Sequence, residues 1–215
     1  TVVWSGTPTA EPTEGVADVL IKKEFDDDVA RAEFCEQVDM ATVEFENIPL
    51  KTLKAVEGSV GLYPSAESIG VSQHRSREKA FLRKHEIPCA PFALVNSLED
   101  LERAYAEVGP VGVLKTAAFG YDGKGQARIM ALNDAASAYA DMAGAPSILE
   151  GFVNFSHEVS VIGARALNGS VACFDPGENV HLNGILHTTT VPARLSPSQR
   201  SDAILIAAKM LNALD

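Results

Sequence analysis

The sequence predicts an α/β fold, and two observations carry that prediction. Short apolar, strand-like runs alternate with helical stretches from Val2 to Tyr63, the pattern of a layered fold with parallel strands. Further on, a strand over Val111 to Lys115 delivers one lysine into a turn with Gly120, Gly123 and Gly125 around Tyr121, Asp122 and Lys124. Glycines there let the backbone take positive φ and approach a ligand closely.

Bulk properties narrow the class. A chain of 215 residues is enough for one large domain or two small ones. With 46% hydrophobic and 22% charged residues, it has the composition of an ordinary globular protein. A net charge of −11 argues against general binding to nucleic acid or anionic membranes. A phosphate ligand therefore needs a local basic pocket, for which Arg75, Lys79, Lys115 and Lys124 are candidates. Cys35, Cys89 and Cys173 are few, odd in number and widely spaced, with no zinc spacing and no disulfide framework. That usage suits a reducing cytoplasm. No run reaches the ~20 apolar residues that span a bilayer, and the N-terminus has no signal-peptide pattern.

Taken in order, Val2 to Trp4 reads as a buried strand, Thr7 to Gly15 as a Pro/Thr-rich loop and Val19 to Ile21 as a strand. Carboxylates at Asp26 to Asp28 favour a helix start, with Val29, Ala32 and Val38 turned inward. Ala41 to Phe45 is the next strand, ending in Glu44-Phe45-Glu46-Asn47 before Pro49. Open sheets bind ligands outside the carboxyl ends of strands, where Glu44 and Glu46 lie. A helical turn over Lys51 to Val56 and a strand over Val60 to Tyr63 follow. Ser72 to His85 reads as one basic helix, with Arg75 and Lys79 on one face. Phe92 to Val95 is a strand, and Ser97 caps a helix over Leu98 to Val108, with Asp100 completing a capping-box-like pattern.

After the glycine turn comes a return strand, Ala127 to Ala131, then a helix over Asp134 to Ala143 capped by Asn133, and a strand over Ser147 to Glu150. His157 to Arg165 alternates, with Glu158, Ser160 and Ile162 on one side. Asn168-Gly169 marks a hairpin, returning over Ser170 to Phe174. Gly177 to Gly184 reads as a polar loop containing His181, and Ile185 to Val191 as a strand. Ser196 opens a last helix with an apolar stripe of Ile204, Ala207, Ala208, Leu211 and Leu214.

Several of these positions suit nucleotide chemistry. Exposed N–H groups in the glycine turn form an anion-binding concavity, and Lys115 and Lys124 supply point charges for phosphate. The same Asp122-Gly123 pair is equally a plain hairpin signal. The order G-x-x-G-x-G is neither a Walker A loop nor G-x-G-x-x-G. Backbone groups of Glu150-Gly151-Phe152-Val153 suit an adenine edge, or simply belong to a strand. The two acceptor oxygens of Glu158 suit ribose hydroxyls, or the residue is a solvated edge carboxylate. His181 is either a charge-switching neighbour of an anion or an ordinary loop histidine. No metal site and no Ser-His-Asp arrangement is visible.

The order of the motifs says more than any one of them. It runs Glu-Phe-Glu-Asn (44–47), Gln73-His-Arg75…Glu78-Lys79, Leu-Lys115-Thr, Gly-Tyr-Asp-Gly-Lys-Gly-Gln (120–126), Glu150-Gly-Phe-Val-Asn-Phe-Ser-His-Glu158 and Glu-Asn-Val-His181. Over nearly the whole chain this series resembles the 5-(carboxyamino)imidazole ribonucleotide synthase family of ATP-grasp enzymes. The resemblance implies an ATP-grasp fold over 72–215, preceded over 1–71 by part of a Rossmann-like pre-ATP-grasp domain. It implies that Lys115 touches the ATP phosphates and that Gly120, Tyr121, Asp122, Gly123, Lys124, Gly125 and Gln126 form the loop over the β- and γ-phosphates. Glu150, Gly151, Phe152 and Val153 would hold adenine, Glu158 the ribose, and Arg75 and His181 would lie near the nucleotide. Tyr121, Asp122 and Lys124, as the catalytic group, would also face 5-aminoimidazole ribonucleotide, with Glu46, and Glu44 close behind, as the substrate carboxylate.

The reaction implied is carboxylation of that ribonucleotide with bicarbonate at the expense of ATP, by a cytoplasmic homodimer that requires Mg2+. Two departures stand out. The family's glycine-rich first turn is missing here, as is its C-terminal acidic region. The resemblance thus implies an internal portion of the enzyme, with the metal carboxylates expected beyond Asp215. The alternatives are another ATP-grasp carboxylase or carboxylate–amine ligase, or a non-catalytic nucleotide-binding module.

Overall fold

The structure is a computed structural model that describes residues 1–7, 12–118, 125–182 and 184–214. The chain divides into two compact units, Thr1–Gln73 and His74–Asp215.

In the first unit, β1 (Val2–Gly6) and β2 (Val19–Glu24) pair in parallel, with Trp4 opposite Ile21. The helix α1 (Asp28–Glu36) begins where the Asp27 carboxylate accepts the N–H groups of Val29 and Ala30. The rest comprises β3 (Met40–Ala41), α2 (Leu50–Glu57), β4 (Gly61–Leu62) and α3 (Ala66–Ser72), with β3 and β4 also parallel. Parallel pairing in this unit matches the alternation in the sequence. Ala41, Leu53, Val56, Leu62, Ala66 and Ile69 form its core, against which Trp4, Phe34 and Cys35 pack.

The sequence reading misplaces three features here. Val29 and Ala32, both expected inward, are exposed, Val29 by 78%, and Ala30 is buried instead. The large Phe34 ring sets the helix phase by packing against Trp4, and Ala30 lies one turn before it on the same face. The strand expected over Ala41 to Phe45 stops at Ala41, leaving Phe45, Glu44 and Glu46 exposed. The helix expected from Ser72 to His85 begins only at Arg75, as α4 (Arg75–Lys84), because the His74 backbone is extended, and Ser72 instead ends α3, a helix the sequence reading did not place. The Gln73 amide is committed to the carbonyls of Glu46 and Ile48, at 2.8 and 2.7 Å. The Arg75 N–H, which a continuous helix would use internally, instead donates to the Ala117 carbonyl at 2.8 Å.

The second unit is built on a four-stranded antiparallel sheet. Its members are β5 (Phe92–Val95), β6 (Gly112–Thr116), β7 (Gln126–Ile129) and β8 (Ser147–Gly151), in the order β5-β8-β6-β7. Two helices, α5 (Leu98–Val108) and α6 (Ala135–Asp141), pack against it. Ser97 caps α5 by accepting the Asp100 N–H at 3.0 Å, as its sequence predicts. The helix expected to start at Asp134 starts one residue later, because the Asp134 carboxylate turns back to accept the N–H groups of Met130 and Ala131. Val95, Leu101, Ala104, Leu114, Ile129, Ala135, Ala138, Met142 and Leu149 form the core of this layer.

Beyond it, β9 (Val159–Ser160), β10 (Gly163–Arg165), β11 (Val171–Cys173), β12 (Gly177–Leu182) and β13 (Ile185–Thr190) are followed by α7 (Pro197–Ala213). β10 and β11 form the hairpin signalled by Asn168-Gly169, with Gly169 at φ +83°. The single strand expected over His157 to Arg165 is divided, because β9 pairs with β12 whereas β10 pairs with β11. The polar loop expected at Gly177 to Gly184 is the strand β12 as far as Leu182, held between β13 and β9. The Asn183-Gly184 pair in the sequence is the hairpin signal that locates it. Ser196 and Gln199 cap α7 reciprocally, and its expected stripe from Ile204 to Leu211 is half-buried.

Candidate functional site

Strand register assembles the site. Side chains alternate between the faces of a sheet, and Val113 lies opposite Glu150 on β8 and opposite Arg128 on β7, as Lys115 lies opposite Gln126. Leu114 and Leu149 thus point into the core, while Val113, Lys115, Gln126, Arg128 and Glu150 share the other face. A cleft of about 430 Å³ opens there, lined by these residues together with Ala90, Gly151, Phe152, Val153 and Phe155. A larger concavity of about 690 Å³ lies between α4, α5 and the edge strand β5. It is lined by Arg83, Phe92 and Leu94 among others and holds none of the sequence-derived site residues.

Glu150 is the electrostatic centre of the cleft wall. Its Oε2 accepts from Lys115 Nζ at 2.9 Å, and its Oε1 lies 3.3 Å from Lys79 Nζ on α4. The carboxylate is 12% exposed. Burial by itself would raise its pKa, but the hydrogen bonds and charges of Lys115 and Lys79 outweigh that and hold it below the usual carboxylate range.

Arg75 begins α4 and donates its Nη1 to the Thr116 carbonyl at 2.6 Å, one residue beyond Lys115. Gly125 closes the base of the turn, where its carbonyl accepts the Thr116 N–H at 2.8 Å. Its φ is +67°, and a Cβ there would come within 2.6 Å of Thr116 Oγ1, so both conformation and space call for glycine.

At the other end, the N–H groups of Gly151 and Phe152 are taken by the carbonyls of Pro91 and Val111. Among the described residues no hydrogen bond occupies the Val153 N–H. The Arg128 guanidinium lies 5.2 Å above the Phe152 ring, giving the cleft a flat cationic–aromatic border.

Glu158 and His181 meet on the smaller sheet, with Oε1 and Nδ1 3.3 Å apart. The Asn179 N–H donates to the Glu158 carbonyl at 2.8 Å, fixing the backbone beside them. Glu46 and Glu44 belong to the first unit. Gly120, Tyr121, Asp122, Gly123 and Lys124 lie outside the described residues.

The structure therefore brings Lys115, Gln126, Glu150, Gly151, Phe152 and Val153 together in one cleft, and pairs Glu158 with His181. Sequence reasoning overlooked Ala90, Arg128 and Phe155. Arg128 stands two residues after Gln126 on one strand, and that period is the signal that places both on one face. Among the described residues no three His, Cys, Asp or Glu side chains gather to hold a metal ion. These residues do not by themselves fit a magnesium site. Nor is any helix among them long and apolar enough to cross a membrane.

Chemically, the cleft offers an ammonium ion, a backbone donor and a flat border, the groups a nucleoside polyphosphate uses. The chain belongs to the ATP-grasp family: the ATP-grasp domain model matches residues 80–215, and a ribonucleotide synthetase preATP-grasp domain model matches residues 1–73. Within that family, several curated relatives carry one name. The N5-carboxyaminoimidazole ribonucleotide synthase of Brucella melitensis is 43% identical over 98% of this chain and 58% of its own length.

A crystallised N5-carboxyaminoimidazole ribonucleotide synthetase in complex with ADP superposes with a TM-score of 0.93 at 36% identity, over 99% of this chain and 56% of that one. The Staphylococcus aureus enzyme with ADP gives 0.91 at 30% identity, again over 99% and 56%. The chain thus spans a little over half the length of each of these three proteins.

Proposed function

We propose that this chain forms the nucleotide-binding part of an N5-carboxyaminoimidazole ribonucleotide synthase. The observation that carries the reading is the cleft wall on which Glu150 is held between Lys115 and Lys79, in a chain 43% identical over 98% of its length to a relative of that name. The reaction is ATP + bicarbonate + 5-aminoimidazole ribonucleotide → ADP + phosphate + the N-carboxylated ribonucleotide. An oxygen of bicarbonate attacks the γ-phosphorus, releasing ADP and forming carboxyphosphate. The exocyclic amine of the ribonucleotide then takes up the carboxyl carbon as phosphate leaves.

In this reading Lys115 and Arg75 stabilise phosphate charge. The Val153 N–H meets the adenine edge, Phe152 and Arg128 flank the ring, and Glu158, oriented by His181, accepts the ribose hydroxyls. Tyr121, Asp122, Lys124 and Glu46 are assigned to the ribonucleotide on the sequence resemblance alone. The enzyme is a cytoplasmic homodimer, the state to be checked by sedimentation.

The test is turnover of the purified protein. ADP release that requires both bicarbonate and 5-aminoimidazole ribonucleotide supports the proposal. ADP release with bicarbonate alone, indifferent to the ribonucleotide, would point to a different ATP-grasp carboxylase.

A further inference from the structure

Glu150 has two cationic partners, and they are not equivalent. Lys115 lines the cleft with its side chain 27% exposed, whereas Lys79 is 11% exposed and is absent from the lining. Lys79 comes from α4, behind the carboxylate, and its ammonium lies 3.3 Å from Oε1 while Lys115 holds Oε2. The three ionised groups together carry one net positive charge. If Glu150 had Lys115 as its sole partner, the pair would be neutral and its attraction for an anion small.

We propose that Lys79 is a positioning residue for phosphate binding. By engaging one oxygen of Glu150, it keeps that carboxylate from neutralising Lys115 and keeps it turned so that the Lys115 ammonium stays at the cleft surface. Glu150 then acts as a hinge pin between a buried cation and a working one. This rests on the nucleotide reading of the cleft, and it adds a residue that never touches the ligand. A purely packing role for the Lys79 stem would affect every ligand of the cleft alike. An electrostatic role through Lys115 acts only on ligands that carry phosphate.

That difference sets the experiment. ADP and adenosine are titrated calorimetrically into the full chain as wild type, Lys79→Met and Lys79→Arg, with melting temperatures recorded for each. Lys79→Met keeps the length of the side chain and removes the charge. It is expected to weaken ADP binding about tenfold, the scale of one charge-assisted contact, and to leave adenosine within about twofold. Lys79→Arg restores ADP binding to within about threefold of wild type.

Should Lys79→Met alone fail to fold, the same comparison is made in Glu150→Gln, where no buried carboxylate is left with a single partner. There the added Lys79→Met change alters ADP affinity by less than about twofold. Equal losses for ADP and adenosine, an unchanged ADP affinity, or a further tenfold loss in the Glu150→Gln background would each overturn the proposal. A wild-type protein that binds adenosine and ADP nowhere in the cleft would instead remove the nucleotide reading on which it rests.

Discussion

Two carboxylates in the second unit are assigned to the same ligand, and the protein treats them differently. Glu150 sits on β8, inside a sheet whose other face is the main core, 12% exposed and clasped by two lysines. Glu158 adjoins the short strand β9 of a three-stranded sheet, 42% exposed, with the half-exposed His181 as its partner. The first is fixed by the fold before any ligand arrives, and the second keeps its oxygens available. In the proposed function, preorganisation would suit a wall that presents Lys115 to phosphate, and availability would suit a carboxylate that accepts hydroxyls.

Substitution at either carboxylate separates the two roles. The largest effect is expected at Glu150. Glu150→Ala leaves two ammonium groups without their shared anion and should lower stability by about 3 kcal/mol, read from denaturant unfolding. The same residue makes stability depend on acid. Its folded pKa lies below its unfolded value, so its contribution is fully present above the unfolded pKa, about 4.3 for Glu, and is lost as pH falls through the folded pKa. Glu150→Gln should accordingly flatten the stability profile below about pH 4.3, and an unchanged acid limb would contradict the clasp.

Lys115→Ala is next, with ADP affinity falling about 100-fold by calorimetry. Gly125→Ala tests the base of the turn between β6 and β7. Its φ of +67° and the approach of Thr116 Oγ1 should make it cost about 2 kcal/mol of stability. Smallest is Glu158→Gln, which should weaken ATP about tenfold yet leave 2′-deoxy-ATP less affected, because fewer hydroxyls are lost.

How much of this was legible in the sequence differs between the same two regions. Around Lys115 and Glu150, short apolar runs and the Ser97 cap are local signals, and the strands and α5 lie within two residues of where they place them. Pairing partners are not local, so the Lys79–Glu150–Lys115 clasp emerges only from the register of β6 against β8 and the start of α4 at Arg75. Around Glu158 the local signals mislead. Polar residues from Glu178 to His181 look like a loop, yet β13 pairs with this stretch along its length and β9 pairs with its start at Gly177 and Glu178. The break at His74 is likewise tertiary, made by carbonyls distant in sequence.

The measurement that bears most directly on the account is amide chemical-shift mapping on addition of ADP. The largest change is expected at the Val153 N–H, with further changes at Lys115, Gln126, Arg128 and Glu150. Shifts confined to the groove between α4 and α5, at Arg83, Phe92 and Leu94, would place the ligand elsewhere and contradict it.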